Sequence, residues 1–482
     1  MTHTSVDGIT ILSAPLGESS LPRREHERAV AARMLSDYYG REVSVGHHPD
    51  GAPYPVGIPE EISISHSASR VVIAIGREKG FGIDTETLRP QLERVKDKFL
   101  TPDEQLLFPT LADKLWAWSA KEAVYKAARI EGPPLTGIKI AGDYARVDGA
   151  GVYRLTETDR QEDSVTVLAR KVTPTGRFAP SPSGRMHLGN LFSAVISYLS
   201  VKSCGGKWIL RIEDLDPQRS KEAFSRQIEE DLLWLGLEWD EGGLDDRGQN
   251  GPYRQSRRGD IYDSYLKRLK ATGYTYPCRC TRAEIMATQA PHSGDSRVVY
   301  GGNCRPASLP AFTAEPSEPH ATRLYVPDRT ITFLDRTYGV QSTNLASDSG
   351  DFIVRRADGA WAYQLAVVVD DAMMGVTEVV RGSDLLMSSA QQIYLYKLLG
   401  LIAPEWAHVP LLTAPDGRRL AKRDHSMAMD SLRQKYTPEQ LLGRIAHLAG
   451  FNPEGKPMSL SEMISCYRPG NDTRAMTIAV KE

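Results

Sequence analysis

The segment Arg177–Asn190 (RFAPSPSGRMHLGN) runs from a short strand through a Pro/Ser/Gly turn into a helix opening near Gly189. A helix N-terminus offers free amides to anions, so His187, Gly189 and Asn190 are placed to meet phosphate oxygens. Alone, such a strand–turn–helix with a surface histidine is an ordinary structural unit. Far downstream, DGRRLAKRDHS (Asp416–Ser426) gathers Arg418, Arg419, Lys422 and Arg423 in one basic loop, which without a partner motif is only solvated surface. A second set is Cys278, Cys280 and Cys304, three thiols within 27 residues, with His292 and Tyr300 between them. Three cysteines and one further ligand complete a tetrahedral structural zinc site, with His292 the first choice on general rules; the alternative is three buried free thiols. A third set is Asp84 and Glu86, two apart on a strand and so projecting from one face. Glu122 follows thirty-six residues after Glu86 on a helix, next to Lys121. Three such oxygen ligands suit Mg²⁺. Glu122 and Lys126 also have the spacing of a plain i,i+4 ion pair.

The elements that must position these groups fall into two kinds. Up to residue 172, helical patterns over 22–40 and Asp113–Arg129 accompany β-rich runs: EISISHS, VVIAIG, FGIDTE and a terminal hairpin, GVYRLTE with SVTVLARKV. The Asp113–Arg129 helix carries apolar residues on both sides, Leu115, Trp118 and Tyr125 on one and Trp116, Ala120, Ala123 and Ala127 on the other, so Glu122 is not a free surface charge. Thr173–Gly176 (TPTG) reads as a breaker. Beyond it, strands alternate with long helices: RFAP, a helix to Lys202, the strand KWILRIED and a helix over Lys221–Leu235. That alternation predicts a parallel α/β sheet. The Pro/Ser/Ala-rich stretch Pro306–Pro319 reads as a surface loop.

The whole chain has 482 residues, enough for two to four domains at roughly 100–200 residues each. With 41% apolar and 25% charged residues it is not disordered, collagen-like or disulfide-stapled. No stretch reaches the ~18–20 apolar residues of a membrane span, and the N-terminus lacks a secretory signal pattern, which predicts a cytoplasmic protein with no membrane partner. Lys and Arg number 22 against 25 Asp and Glu up to residue 172, and 37 against 36 beyond it. Any RNA contact must therefore use a local basic face. Five cysteines, three of them clustered, fit a reducing compartment and a metal.

Taken together, His187-Leu188-Gly189-Asn190 and Arg419-Leu420-Ala421-Lys422-Arg423 resemble the HIGH and KMSKS signatures of class I aminoacyl-tRNA synthetases. RFAPSPSG, RIEDLDP (Arg211–Pro217) and Asp351–Leu385 resemble the glutamyl branch. The resemblance implies a Rossmann-like parallel-sheet catalytic domain that binds ATP through His187, Gly189, Asn190 and Lys422. It implies glutamate binding by Arg177, Phe178, Ala179, Pro180, Ser181, Glu213, Tyr363 and Arg381, with His187 and Lys422 catalytic. Two guanidiniums suit the two carboxylates of glutamate and an acidic residue suits its ammonium. The CxC…Y-x3-C pattern resembles the zinc site of glutamyl-queuosine tRNA(Asp) synthetases, which makes Tyr300 the fourth ligand, with His292 in reserve. Only about 59 residues follow Arg423, too few for the anticodon-binding region of a full glutamyl-tRNA synthetase. The expected activity is thus tRNA-independent activation of L-glutamate and its transfer to the queuosine base of tRNA(Asp). Arg419 and Ala421 depart from the usual loop motif.

GIDTE…W-S-x-K-E-A-x-x-K, with the upstream ISISHS, resembles the 4′-phosphopantetheinyl transferase superfamily. That implies an α+β pseudo-duplicated domain over residues 1–172, ahead of a synthetase domain over 173–482 with its zinc segment at about 278–304. It also implies Mg²⁺ on Asp84, Glu86 and Glu122, coenzyme A contacts from His66, Lys121 and Lys126, catalytic roles for Glu122 and Lys126, and an acyl- or peptidyl-carrier protein as partner. Ala52 stands where the superfamily often has a basic residue, a loss that Arg23 or Arg24 could offset. Two alternatives remain: an idle N-terminal binding domain, or a conventional glutamyl-tRNA synthetase fused to the transferase.

Overall fold

The computed structural model describes residues 1–129, 134–147, 150–281, 284, 299–311, 316–418, 427–470 and 475–480. His292, Arg419, Ala421, Lys422 and Arg423 lie outside the described residues. The chain divides into two units, Met1–Thr173 and Pro174–Glu482.

In the first unit, two antiparallel sheets each carry a helix. One has strand order Thr2–Val6, Ile9–Pro15, Arg70–Gly76, Glu61–His66, and the helix Arg23–Tyr39 packs Val30, Met34 and Leu35 on Leu12, Val71 and Ile73. Gly40, at φ 65°, closes that helix in the left-handed conformation glycine adopts freely. The second has order Phe81–Thr87, Ser164–Val172, Gly151–Arg160, Tyr144–Val147, Ile138–Ala141. Against it lies the helix Leu111–Ala128. It begins two residues before the predicted start because Thr110 caps it, with Asp113 at N3 in a reciprocal capping box. Gly82 lets strand and helix nearly touch: a Cβ there would stand 2.2 Å from the Ala123 carbonyl oxygen and 2.6 Å from the Ala127 nitrogen.

The second unit has a parallel three-stranded sheet, Thr175–Phe178, Lys207–Leu210, Glu241–Gly242. A four-stranded sheet follows the order Gly339–Asn344, Thr330–Asp335, Glu405–Val409, Glu378–Gly382. Its inner strands are parallel and its outer pair is an antiparallel hairpin, so the predicted parallel sheet is correct for the centre and not for the edge. Thr175 and Gly176 begin a strand rather than break the chain. The two sheets are joined there: Thr377 N–H donates to Thr175 O at 2.8 Å, and Thr175 N–H to Thr377 Oγ1 at 2.9 Å. Arg177 and Arg381 thereby stand on neighbouring strand ends. The helix Leu188–Lys202 is buried nearly all round. A small antiparallel sheet, Thr275–Cys278, Ala321–Leu324, Phe352–Arg355, carries Cys278. Helices Met429–Lys435, Pro438–Leu448 and Leu460–Cys466 and the parallel pair Leu411–Thr413 with Thr477–Ala479 complete the unit. No described helix is long and apolar enough to cross a membrane.

Candidate functional site

At the carboxyl ends of these parallel strands lies a cleft of about 580 Å³, where ligands of open α/β sheets bind. Arg177, Phe178, Ala179, Pro180 and Ser181 form one wall, His187, Gly189 and Asn190 a second, and Glu213, Tyr363 and Arg381 a third. Eleven residues singled out from three distant segments therefore share one cavity. His187 ends the turn as the helix N-cap: its Nδ1 accepts from Gly189 N–H at 3.1 Å and its own N–H donates to Asn190 Oδ1 at 3.1 Å. A side chain at 189 would press on the imidazole at 3.1 Å, which explains the glycine.

Beneath the cleft is a charge network that sequence reasoning missed. Arg177 Nε lies 3.3 Å from Asp371 Oδ1, and Arg211 donates to Asp371 at 2.6 Å and to Glu213 at 3.0 Å. Arg258 Nε donates to Asp370 at 2.6 Å. Against burial, Arg177 and Arg211 hold the Asp371 carboxyl below its ordinary value, whereas burial raises Glu213 despite the same arginines. The available signal was LAVVVDDAM, two aspartates in an apolar helical run, which require buried cations.

Arg381 differs. It is 5% exposed, and its hydrogen-bond partners among the described residues are all neutral. Nε donates to His408 Nε2 at 3.1 Å, the terminal nitrogens to Gln392 Oε1 at 2.9 Å, Ser389 Oγ at 2.8 Å and Leu385 O at 3.1 Å, and the guanidinium lies 4.7 Å over the Trp406 ring. His408 Nδ1 is 2.6 Å from Asp335 Oδ2, so its proton sits there and Nε2 is left to accept. A buried cation without a carboxylate in contact, facing a cleft, is built to receive an anionic group. His408, Asp335, Gln392 and Ser389 were not foreseen; their roles depend on long-range contact.

The sulfurs of Cys278, Cys280 and Cys304 lie within 4.8 Å of one another. A tetrahedral zinc ion with bonds of about 2.3 Å to sulfur and about 2.0 Å to oxygen spaces sulfurs about 3.8 Å apart and oxygen about 3.5 Å from sulfur. Cys280 and Cys304 sulfurs are 3.4 Å apart, and the Tyr300 hydroxyl is 3.5 Å from Cys278 and 3.7 Å from Cys280. The four side chains therefore fit such an ion. Arg323 backs them, donating to Cys278 Sγ at 3.2 Å and stacking 3.8 Å over the Tyr300 ring.

In the first unit Asp84 is buried. Its Oδ1 accepts from Lys126 Nζ at 2.7 Å and Ser65 Oγ at 2.8 Å, while Oδ2 is buried without a hydrogen-bond partner. Burial, then the Asp84 charge, raises both Glu86 and Glu122. Mutually repelling carboxylates with an orphaned oxygen fit a divalent cation. They are less tightly gathered than the cysteines, the one trio within 4.8 Å among the described residues. Lys121 requires a correction. It is fully buried, and its ammonium donates to Glu104 at 2.7 Å, Phe99 O at 2.7 Å and Leu135 O at 3.1 Å, so it braces the interior and does not reach coenzyme A. The apolar stripes on both sides of its helix show that the helix is enclosed but not which polar residue is innermost. His66 lines a second cavity of about 790 Å³ with Arg24, Arg28 and His47, its Nδ1 3.2 Å from Glu27. Arg24 faces this cavity, while Arg23 turns to Glu27 and Ser67 O.

Residues 174–471 match the catalytic domain of the class I tRNA synthetases (E and Q), and residues 80–165 match the 4′-phosphopantetheinyl transferase superfamily. The Glutamyl-Q tRNA(Asp) synthetase of Symbiobacterium thermophilum is 46% identical over 298 residues, covering 61% of this chain and 91% of that protein. Its counterpart from Nitratidesulfovibrio vulgaris is 44% identical over 293 residues, 60% of this chain and 90% of the relative. The crystal structure of a glutamate tRNA ligase from Elizabethkingia meningosepticum with its amino acid superposes with a TM-score of 0.55 at 32% identity, over 63% of this chain and 66% of that one. With its signature cleft and a family match over more than half its length, the chain belongs to the class I tRNA synthetases of the E and Q group.

Proposed function

We propose that the second unit activates L-glutamate with ATP, without needing tRNA, and transfers it to the queuosine base of tRNA(Asp). The observation that carries this is Arg381, a buried guanidinium ringed by neutral groups at the cleft wall. It pairs the side-chain carboxylate of glutamate, Glu213 and Tyr363 receive the ammonium, and Arg177 with the Phe178–Ser181 turn seats the α-carboxylate beside the nucleotide. That carboxylate attacks the α-phosphorus of ATP, and pyrophosphate leaves. His187, Gly189 and Asn190 cradle phosphate at the helix N-terminus, and Lys422 neutralises the charge that builds up. The glutamyl adenylate then acylates a queuosine hydroxyl and releases AMP. Cys278, Cys280, Tyr300 and Cys304 hold a structural zinc ion. The relatives named Glutamyl-Q tRNA(Asp) synthetase, matched over about nine tenths of their length, support this assignment over a conventional glutamyl-tRNA synthetase.

The first unit, residues 1–172, is read as a transferase of 4′-phosphopantetheine from coenzyme A to a carrier-protein serine. Asp84, Glu86 and Glu122 would hold Mg²⁺, which supplies charge neutralisation at the pyrophosphate. Lys126, His66 and the cavity arginines Arg24 and Arg28 meet coenzyme A phosphates, so Arg24 and Arg28 replace the cation missing at Ala52. The test is twofold. Glutamate-dependent ATP–pyrophosphate exchange without RNA, followed by glutamylation of queuosine-bearing tRNA(Asp) and not of tRNA(Glu), supports the synthetase reading; the reverse tRNA preference refutes it. A carrier protein that gains no pantetheine mass with coenzyme A and Mg²⁺ leaves the first unit as a binding domain.

A further inference from the structure

We infer that the groove between the helix Pro438–Leu448 and the strand Thr477–Ala479 holds the sugar–phosphate backbone of the RNA substrate. This rests on the synthetase reading above and adds where the RNA is gripped. The groove has a volume of about 700 Å³ and shares no lining residue with the glutamate cleft. Lys435, Arg444 and His447 line it, and none of the described lining residues carries a carboxylate. Arg444 and His447 are three apart, on one face of their helix.

Among the cations sits Tyr436. Arg444 donates to its hydroxyl at 2.6 Å and lies 5.6 Å from its ring centroid, and the Lys435 ammonium lies 5.5 Å from it. Leu448, Pro457, Ala479 and Val480 supply an apolar lining. Beyond residue 172 the chain is nearly neutral, with 37 basic against 36 acidic residues, so a lining that carries Lys435 and Arg444 and no carboxylate among its described residues is a local concentration rather than an average. Cations beside an aromatic ring in an open groove match phosphates carried on a chain with ribose or base faces between them. A small anion would call for an enclosed pocket with converging donors.

The groove is also coupled to the cleft by construction. Thr477–Ala479 pairs in parallel with Leu411–Thr413, and Leu411 and Leu412 line the glutamate cleft. One two-stranded ribbon thus separates the RNA grip from the site of glutamyl transfer.

The test uses the full chain with Lys435→Glu, an exposed substitution, and Lys435→Arg as its conservative control. Tighter folding problems are screened by melting temperature. Exchange without RNA, the KM for tRNA in transfer, and RNA binding across a salt series are measured. The expected result for K435E is unchanged exchange, a KM for tRNA raised about tenfold, and a log–log salt slope reduced by about one, with K435R near wild type. An unchanged KM and slope overturns the proposal. Loss of exchange with an intact fold also overturns it, because the groove would then serve a small anion of the activation step. Should the wild type show exchange but transfer to no tRNA, the substrate reading fails on its own, and RNA binding by K435E against wild type still decides the groove.

Discussion

If Arg381 pairs the glutamate side chain as proposed, truncating it to alanine leaves that carboxylate facing His408, Gln392 and Ser389, none of which carries a cation at neutral pH. Charge-assisted hydrogen bonds in such a setting are worth about 1.5–3 kcal/mol each, so two of them correspond to a loss of at least about a hundredfold in kcat/KM for glutamate. Lysine at 381 keeps the charge and loses the fork, and is expected to recover only part of that loss in exchange assays. His408 adds a pH dependence. Burial lowers its pKa from the ordinary 6.5, so the folded protein keeps the ring neutral while the unfolded chain takes up a proton below that value. Protons bound only by the unfolded state make stability fall as pH drops below about 6.5. Urea midpoints measured from pH 7.5 to 5 are expected to decline, and less steeply in His408→Gln. His187 is fixed differently. Because Nδ1 accepts a backbone hydrogen, Nε2 is the ring nitrogen left to carry a proton, and under the proposed reading it would be the donor to phosphate. Arg381 and His187 were legible because each sits in a contiguous motif, whereas His408 sits in none. Asp371, Arg211 and Asp335 were not legible either, because the long-range partners that account for them lie 73 to 194 residues away.

At the scale of elements, the helix Leu111–Ala128 and the strand Phe81–Thr87 set the first unit's carboxylates beside each other, and Gly82 sets their separation. A Cβ at 82 meets helix backbone, which cannot rotate aside as a side chain would. Gly82→Ala is therefore expected to destabilise the first unit by about 1–3 kcal/mol and to lower pantetheine transfer, read by chemical denaturation and carrier-mass gain. Exchange by the second unit should stay intact. Element types were largely legible, since the continuous apolar, largely β-branched run Val71–Ile75 and the segment Phe81–Thr87 leave little choice but strand. Boundaries and depth were less so. The helix Leu188–Lys202 starts one residue before the expected Gly189, capped by an imidazole rather than a hydroxyl or carboxylate. The family resemblance places Lys121 at coenzyme A, and the pattern of its helix shows burial without showing which lysine is enclosed.

For the whole molecule, the activities proposed for the two units rest on separate sets of residues. Arg381→Ala should abolish glutamate-dependent exchange while leaving pantetheine transfer to a carrier at the wild-type rate. Loss of both activities with melting unchanged would show that the sites are energetically linked. The near-zero net charge is met in both units by placed cations: Arg177, Arg211 and Arg258 against Asp370 and Asp371, Lys126 against Asp84, and Lys121 against Glu104. The strand Thr175–Phe178 is bonded to Thr377 across 202 residues, and Arg177 to Asp371 across 194. During synthesis, the first strand of the second unit and its arginine thus emerge long before the groups that satisfy them. Burying that arginine earlier would strand an uncompensated charge, so the sheet can close only once residues 371–377 have been made. Closing of this sheet is then a late event, and until it happens the apolar helix Leu188–Lys202 lacks the cover of the strand Glu378–Gly382.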